Sequence, residues 1–589
     1  MGLPVWTFVP PSHHLRFDSS SSTSFNYNNS RQSSSSSSSD DVPVNIMMSA
    51  SFTPVFCRTT TCQRVVPSSL KLIFLWTTIR HVQSTTISRS ADECPDLSLP
   101  QHLKKFYING SWASPQSEST KSWDVINPSF GHAIARISMG SADDAEAAIH
   151  SAKAAQAYWS ETTLSERRAY VEKLLSIYRR RREEMAQLIS AEMGSPINDA
   201  RGPQAGSGIY NIREFLIALD HYETEKIIPG KTMGSTNTVI RYEPIGVVAL
   251  ITPWNWPMSQ ITLKVVPALL VGCTCILKPS EMAPLSSMLF AEMIHEAGFP
   301  PGVFNLVNGD GVTVGAHLSS HADVDMVSFT GSTRAGRLIA QAAATSNLKK
   351  VSLELGGKGA NIIFSDVGNI LEDVVRDGVE NCFSNSGQNC NAPTRMLVER
   401  SSYNEAVRIA AETAKEAGML VRPAHLSGDY YGPVASRVQY DRIQRYIQLG
   451  IDEGAKLVAG GVGHPSTGVN TQGFFVKPTV FVDVTPNMTI AQEEIFGPVL
   501  CIIPFDTEEE AVEIANATPY GLTHYLHTDD KERRLRLARN LKSGMIEMNG
   551  IEAEGGAPFA AMKASGNGRE GGLWGLEEYT VIKVVSGLN

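Results

Sequence analysis

Short apolar runs alternate with helical segments between residues 245 and 355, and this alternation constrains the fold more than any other feature. The runs predict buried strands over residues 247–251, 273–277, 303–307, 326–329 and 351–355. Strands that alternate with helices at this spacing form a parallel sheet with helices on both faces. The predicted fold class is therefore α/β, with ligands bound at the carboxyl ends of the strands.

A second alternating region follows Gly357. Its predicted elements are strands over 361–364, 395–399 and 499–504 and helices over 403–417 and 508–517. Upstream, Ser141 is a predicted N-cap with Asp144 three residues on, and one helix is predicted over 165–193. Two alternating segments, 237–242 and 578–585, read as edge strands, which favours pairing across subunits.

Charge and composition exclude several classes of function. The net charge is −9, and residues 1–90 alone carry +4, so the remainder is strongly acidic and not suited to nucleic acid. No apolar run approaches the ~18 residues that span a bilayer. The eight cysteines have no regular spacing, so no disulfide framework is predicted. His524 and His527 would face opposite sides of a strand, and no metal site is predicted.

The first 100 residues predict a disordered extension that carries a transit peptide. Serine tracts fill much of residues 1–46, and residues 42–91 contain no acidic side chain but five dispersed basic ones. This profile is typical of an organelle transit peptide, most simply a mitochondrial one, with plastid import and a cytoplasmic location as alternatives. The other readings are a non-functional tail and a misplaced start codon, with Met47 or Met48 as the true start.

Two polar motifs follow the first two predicted strands of the sheet. Asn255 follows the first, where its amide suits a developing negative charge, although a turn residue is the simpler reading. Lys278 and Glu281 follow the second, where they suit ribose hydroxyls as well as an ordinary loop. Because both motifs lie at strand ends, we expect them at one edge of the sheet.

Two further motifs end the later strands. Ser332 opens a helix after a strand, a place that suits a phosphate or a simple helix cap. The spacing from Gly331 to Gly336 is not the G-x-G-x-x-G fingerprint of dinucleotide-binding folds. Glu354 precedes two glycines at the end of the last strand, which makes it a candidate general base.

Cys390 is the candidate nucleophile. Its neighbours are amide-bearing residues, and Gly387 lets another backbone or a ligand come close. Reactive cysteines lie in such polar, partly open surroundings, whereas a buried cysteine packs as a small hydrophobe. The segment alone leaves a reactive and an inert cysteine equally open. The inert reading is the default for the cysteines with apolar neighbours, Cys273, Cys275, Cys382 and Cys501.

Taken together, these motifs resemble the aldehyde dehydrogenase family from about Phe106 to Val585. The motifs that carry the resemblance, in this order, are Pro253-Trp254-Asn255-Trp256-Pro257, Lys278-Pro279-Ser280-Glu281, Phe329-Thr330-Gly331-Ser332, Glu354-Leu355-Gly356-Gly357-Lys358, Gly387-Gln388-Asn389-Cys390 and Glu493-Glu494-Ile495-Phe496-Gly497-Pro498. Ala560 and Ala561 stand where the family commonly has glycines, so the identity of the aldehyde is left open.

The resemblance implies a parallel-sheet, Rossmann-like NAD-binding domain (101–230 and 245–356), an α/β catalytic domain (357–560) and a β-ribbon (231–244 and 561–589). It implies a homodimer or homotetramer that acts on a small aldehyde. The implied catalytic residues are Cys390, Glu354 and Asn255. The implied cofactor is NAD, with NADP as a weaker alternative, and the implied contacts are Thr252, Pro253, Trp254, Lys278, Ser280, Glu281, Gly331, Ser332, Glu354, Leu355, Gly356, Glu494 and Phe496.

Two alternatives remain open at this point. A CoA-acylating dehydrogenase would resolve a Cys390 thioester with CoA and would not need a base at Glu354. A non-catalytic nucleotide-binding relative is disfavoured because Cys390, Glu354 and Asn255 are all present.

Overall fold

A computed structural model of the protein describes residues 94–117, 120–231 and 236–588. The predictions for residues 1–93 therefore lie outside the described residues. The strands are β1 Phe106–Ile108, β2 Ser111–Ala113, β3 Ser122–Asn127, β4 His132–Ser138, β5 Glu225–Ile228, β6 Thr238–Pro244, β7 Val247–Ile251, β8 Thr274–Lys278, β9 Phe304–Leu306, β10 Met326–Thr330, β11 Lys350–Glu354, β12 Ala360–Ile363, β13 Arg395–Glu399, β14 Lys456–Ala459, β15 Thr479–Val482, β16 Val499–Phe505, β17 Tyr520–Gly521, β18 Thr523–His527, β19 Met545–Met548, β20 Phe559–Ala560, β21 Met562–Lys563, β22 Arg569–Glu570 and β23 Thr580–Ser586.

The α-helices are α1 Ala142–Glu161, α2 Leu164–Arg180, α3 Arg182–Met193, α4 Ile197–Asp199, α5 Ala205–Leu219, α6 Pro257–Val271, α7 Pro284–Ala297, α8 Ala316–Ser320, α9 Thr333–Thr345, α10 Leu371–Phe383, α11 Arg400–Met419, α12 Arg437–Asp452, α13 Thr489–Gln492, α14 Glu508–Asn516, α15 Lys531–Asn540 and α16 Gly572–Glu577. No helix of this part of the chain is long and apolar enough to cross a membrane.

The first sheet has seven strands in the order β11-β10-β7-β8-β9-β1-β2. Five of them, β11 to β9, are parallel, and a hairpin of β1 and β2 adds an antiparallel edge. Every residue of β7 and β8 is buried, as expected for strands covered by helices on both faces. The α/β prediction is confirmed here, and the carboxyl ends of β7, β8, β10 and β11 meet at one edge.

The second sheet also has seven strands, in the order β14-β15-β16-β13-β12-β18-β19. All of its pairs are parallel except β14 with β15. Helices α10 and α11 pack together on one face, where the core includes Val375, Val379 and Ile409. The carboxyl end of α10 leads directly into the segment of Cys390.

The structure corrects two predictions. The single helix expected over 165–193 is two helices, because Arg181 leaves helical geometry (φ −97°, ψ 13°) while its guanidinium bonds Glu184 and Glu292. The two predicted edge strands pair with each other within one chain. Strand β6 aligns antiparallel with β23, from Thr238 opposite Ser586 to Pro244 opposite Thr580, and with β5 on its other side, so β6 is a central strand whereas β23 remains at the edge of this three-stranded ribbon.

Arg395, the first residue of β13, connects the second sheet to the end of helix α14 by hydrogen bonds. Its side chain is 1% exposed and donates hydrogen bonds to three carbonyl oxygens, of Lys358 (3.0 Å), Ile514 (2.8 Å) and Ala515 (2.9 Å). Ile514 and Ala515 belong to the last turn of α14, where the Ile514 carbonyl also accepts a hydrogen bond from the Ala517 N–H at 3.3 Å. Arg395 therefore supplies donors that a buried helix end needs.

Replacing Arg395 with Lys should lower the apparent melting temperature by several degrees. A lysine cannot reach all three carbonyls in the fork geometry of a guanidinium, and each buried carbonyl left without a donor costs ~1–3 kcal/mol. Thermal unfolding followed by circular dichroism measures the effect. Arg445→Lys is the matched control, because Arg445 is exposed. An Arg395→Lys protein as stable as this control would contradict the assignment.

Candidate active site

The backbone before Cys390 is strained, which fixes the position of the thiol. Asn385, Ser386 and Gly387 follow α10 with positive φ angles of 52°, 56° and 71°. Two of these residues are not glycine, and left-handed geometry at such residues persists only where the surroundings enforce it. Ser386 donates to the Gly432 carbonyl (2.8 Å), and the buried Asn385 amide donates to the Asn255 carbonyl (3.0 Å).

Gly387 is the point of closest backbone approach. A Cβ atom at this position would lie 2.1 Å from the carbonyl carbon and oxygen of Gly497. No side chain fits there, so the absence of a Cβ lets the cysteine segment contact the segment of Glu494 and Phe496. The sequence indicated that either another backbone segment or a ligand comes close to Gly387. In the structure it is another backbone segment.

The Asn255 amide lies beside the cysteine segment. Asn255 is 4% exposed, and its Nδ2 donates to the Gln388 carbonyl at 2.8 Å. A primary amide has two N–H groups, so one of them remains to act on a ligand at Cys390. Trp256 fixes the next part of the segment through its Nε1, which donates to Asn389 Oδ1 at 2.6 Å.

Glu354 ends strand β11 as a buried carboxyl group. It is 3% exposed, and neither carboxylate oxygen has a hydrogen-bond partner within the described residues. Burial, followed by the charge of Glu570, raises the pKa of Glu354 well above its usual range, whereas Lys264 acts in the opposite direction. This environment favours the protonated form of the carboxyl group, and Glu354 must lose that proton to act as a base.

Cys390 is half-buried, and its environment disfavours the thiolate. Burial, then the charges of Glu494 and Glu354, raise the pKa of Cys390 to about 12. A thiol with this pKa is almost wholly protonated at neutral pH. A bound ligand that carries positive charge or excludes water would change this balance.

One cavity of about 170 Å³ opens on Cys390 from the side of the first sheet. Ten of the predicted site residues line it: Pro253, Trp254, Asn255, Gly331, Ser332, Leu355, Gly356, Cys390, Glu494 and Phe496. The Trp254 and Phe496 rings meet edge to face with centroids 5.4 Å apart. Glu494 Oε1 accepts from the Gly357 N–H at 3.0 Å, which joins two motifs of the sequence.

The remaining predicted residues lie outside this cavity lining. Lys278 is 3% exposed at the end of β8, and burial lowers its pKa despite Glu281, whose Oε2 is 3.8 Å from Lys278 Nζ. Ser280 Oγ accepts from the Met282 N–H (3.3 Å), and the buried Thr252 Oγ1 has no partner within the described residues. Ser332 Oγ accepts from the Ala335 N–H, so it also caps α9.

A second, larger cavity of about 420 Å³ lies beyond Asn391, the residue after Cys390. Tyr525 closes its inner wall by donating a hydrogen bond to the Asn391 carbonyl at 2.9 Å. Because Cys390 lines the smaller cavity and Asn391 lines the larger one, the thiol stands at the boundary between the two.

The comparisons with known proteins agree with this geometry. A sequence model described as the aldehyde dehydrogenase family matches residues 112–585. A 3-succinoylsemialdehyde-pyridine dehydrogenase from a Pseudomonas species is 44% identical over 485 residues, which is 82% of this chain and 98% of that protein. An aldehyde dehydrogenase from Bartonella henselae, known as a crystal structure, is 52% identical, with TM-score 0.79 over 82% of this chain and 99% of that one.

A mutant aldehyde dehydrogenase C from Pseudomonas syringae, crystallised with NAD+ and octanal, is 44% identical, with TM-score 0.79 over 84% of this chain and 99% of that one. The chain belongs to the aldehyde dehydrogenase family. The family resemblance drawn from the six motifs is therefore confirmed.

Sequence reasoning missed two basic groups of this aldehyde dehydrogenase, of which Lys264 acts on Glu354 and Arg442 contacts Glu494. Lys264 is fully buried in α6, where its Nζ contacts a Glu570 carboxylate oxygen and lies 2.7 Å from Thr330 Oγ1. A lysine in an otherwise apolar helix was the available signal, but its partner lies 306 residues away. Arg442, which was also missed, lines the smaller cavity and donates to the Glu494 carbonyl at 2.6 Å.

One group of potential metal ligands occurs within the described residues, formed by Glu146, His317 and His321. Glu146 Oε2 lies 2.8 Å from His317 Nε2 and 3.1 Å from His321 Nε2. His321 Nδ1 accepts from the Asp323 N–H at 3.1 Å, so in the neutral ring the proton is on Nε2 and points to Glu146. A hydrogen-bonded cluster accounts for this arrangement. The i, i+4 spacing of His317 and His321 was a local signal for part of this cluster, whereas Glu146 is far from them along the chain.

Proposed function

We propose that this aldehyde dehydrogenase oxidises an aldehyde to the carboxylic acid with NAD, through covalent intermediates on Cys390. The observation that carries the proposal is the position of Cys390, on the lining of one cavity and next to Asn391 on the lining of the other. A cofactor in the smaller cavity and an aldehyde in the larger one would meet at its sulfur.

The residues around the smaller cavity fit a dinucleotide. Thr252 Oγ1 is a buried hydroxyl without a hydrogen-bond partner among the described residues, so a ligand could supply one. A Cβ at Gly356 would lie 2.3 Å from Glu494 Oε2, so only glycine leaves space for a ligand beside this carboxylate. Lys278 and Glu281 would hold the adenosine ribose and Ser332 the pyrophosphate. Glu494 would hold the nicotinamide ribose, with Phe496 packed nearby. The other cofactor contacts are Pro253, Trp254, Ser280, Gly331 and Leu355.

The chemistry of the chain begins when the Cys390 thiol gives its proton to solvent and the resulting thiolate attacks the aldehyde carbon. The carbonyl π electrons move to oxygen, and the oxyanion accepts hydrogen bonds from the Asn255 amide and the Cys390 backbone N–H. NAD supplies the acceptor for the hydride that leaves this carbon. The result is a thioester on Cys390, which a second half-reaction must remove.

Glu354 serves the second half-reaction as the general base. It takes a proton from water as the water oxygen attacks the thioester carbon, and the C–S bond breaks to release the carboxylic acid and Cys390. A base is required when water resolves the thioester, so the presence of Glu354 favours hydrolysis over acyl transfer to CoA. The raised pKa of Glu354 predicts that this half-reaction accelerates as the pH rises.

Replacing Glu354 with Gln should permit one hydride transfer per site and then stall, because the amide cannot take a proton from water. Stopped-flow absorbance should show a burst of NADH close to one per active site. Cys390→Ser is the matched comparison and should give no burst, since a hydroxyl is a far weaker nucleophile. Steady turnover by Glu354→Gln would remove Glu354 from the mechanism, and turnover restored by CoA would favour the acylating alternative.

NAD should be preferred over NADP, with Glu281 as the cause. NADP carries a phosphate of about −2 charge where NAD has a ribose hydroxyl, and a carboxylate accepts from the hydroxyl but repels the phosphate. We expect a ratio of kcat/KM of about tenfold or more, roughly 1.4 kcal/mol. The buried Lys278 opposes this preference, so Glu281→Gln should narrow the ratio. An NADP-favouring wild type, or an unchanged ratio in the variant, would contradict the account.

Residues 1–90 should direct the protein to mitochondria, because their acid-free, Arg- and Ser-rich segment fits a transit peptide. A fusion of residues 1–100 to a fluorescent reporter measures the destination. The same fusion with Arg58, Arg64 and Arg80 changed to Gln is the control and should remain cytosolic. A cytosolic or plastid signal from the unchanged fusion would overturn the mitochondrial assignment.

The protein should assemble as a homodimer or homotetramer through the ribbon of β5, β6 and β23. Ile228, Ile582 and Val584 are 51–64% exposed on one face of this ribbon, and such a cluster suits a subunit contact. Sedimentation velocity of Ile582→Lys/Val584→Lys should show a monomer. Leu535→Lys is the control because Leu535 is exposed on α15 instead. A monomeric wild type would overturn the proposal.

A further inference from the structure

The larger cavity is markedly acidic. Its lining contains five glutamates and no lysine, arginine or histidine. Glu570, at the inner end, is paired with Lys264. The other four have no basic nitrogen within 4.0 Å among the described residues: Glu214, Glu547, Glu552 and Glu554. An apolar or anionic substrate would not require four unpaired carboxylates on the way to the thiol.

These carboxylates come from three separate parts of the chain, so the charge is a property of the cavity and not of one loop. Glu214 belongs to α5, Glu547 to β19, and Glu552 and Glu554 to the following segment. A Cβ at Gly555 would lie 2.8 Å from Glu214 Oε2 and 2.7 Å from the Tyr210 hydroxyl, so this segment packs directly against α5.

The glutamates of this cavity raise the pKa values of one another and of a neighbouring tyrosine. Burial and the charge of Glu552 raise the pKa of Glu547 to about 7. The pKa of Tyr210 is raised by burial and by the charges of Glu214, Glu554 and Glu552. The cavity therefore holds a negative potential that a bound cation would neutralise.

Aromatic side chains complete the lining. Tyr210, Phe215, Tyr525 and Phe559 contribute to the same cavity as the glutamates. Aromatic faces attract cations and also pack against the methyl groups of a quaternary ammonium ion. The combination of carboxylates and aromatic rings suits an organic cation better than a hydrated metal ion, which would favour oxygen ligands alone.

We propose that the substrates of this enzyme are aldehydes that carry a cationic amino or quaternary ammonium group at the end remote from the carbonyl. This inference rests on the proposed function, since it assigns the larger cavity to the aldehyde. The aldehyde carbon would reach Cys390 past Asn391, and the cationic group would lie among Glu214, Glu547, Glu552 and Glu554. Oxidation then proceeds as described above, with the cationic group unchanged.

Three aldehydes of equal chain length test the proposal: one ends in a trimethylammonium group, one in the isosteric tert-butyl group and one in a carboxylate. The cationic aldehyde should have a kcat/KM about tenfold or more above its neutral isostere, and the anionic aldehyde should be the poorest. Added salt should reduce the preference, because the Debye length falls from about 30 Å at 0.01 M to about 8 Å at 0.15 M. A neutral aldehyde used as well as the cationic one would overturn the proposal.

Substitutions of glutamates that line the larger cavity test whether these residues cause the preference for the cationic aldehyde. Glu552→Gln/Glu554→Gln should lower the ratio of cationic to neutral kcat/KM severalfold, and both residues are exposed, so the fold should tolerate the change. Glu509→Gln/Glu513→Gln removes the same charge from exposed positions on α14 and should leave the ratio unchanged. A ratio that the first double variant leaves intact, or that the control lowers equally, would overturn the assignment to this cavity.

A binding measurement separates this inference from the proposed function. Butyltrimethylammonium ion, which has no aldehyde, should bind the wild-type protein in titration calorimetry and should bind the Glu552→Gln/Glu554→Gln protein more weakly. If none of the three aldehydes is oxidised, the proposed function fails, and calorimetry still decides whether the cavity binds cations. The absence of binding to the wild type would overturn the cation site.

Discussion

The contact between Gly387 and the backbone of Gly497 is the constraint on which the site depends. It brings the segment that ends at Cys390 against the segment that carries Glu494 and Phe496. Because a Cβ would lie 2.1 Å from a backbone carbonyl, the contact excludes every residue except glycine. The left-handed turn of Asn385 and Ser386 is maintained by this contact and by hydrogen bonds to Gly432 and Asn255.

The electrostatic environment of the Cys390 thiol is the second feature on which the site depends. Cys390, Glu354 and Glu494 all have raised pKa values, with burial as the largest cause in each case. These environments favour the uncharged forms of all three groups, so the site is less charged than its side chains suggest. The positive charge of Lys264, which is buried beside Glu570, opposes the increase in the pKa of Glu354.

Local patterns predicted much of the fold. Strands β7 and β13 have the predicted boundaries, because the apolar runs that predict them are local. The α2–α3 break was not predictable, since Arg181 is held by Glu292 from another helix. Pairing of β6 with β23 also escaped prediction, because their edge patterns do not reveal which strand is the partner. Five of the six motifs contribute residues to the lining of the smaller cavity, whereas the Lys264–Glu570 pair depends on tertiary contact alone.

The central claim is that Cys390 receives the cofactor from one cavity and the aldehyde from the other. A crystal structure of the Cys390→Ala protein with NAD and an aldehyde tests it most directly. The account predicts density for the nicotinamide ring in the cavity lined by Asn255, Glu494 and Phe496. It predicts the aldehyde beyond Asn391, with its carbonyl oxygen near the Asn255 amide. A nicotinamide in the larger cavity, or an aldehyde bound away from Asn391, would contradict the account.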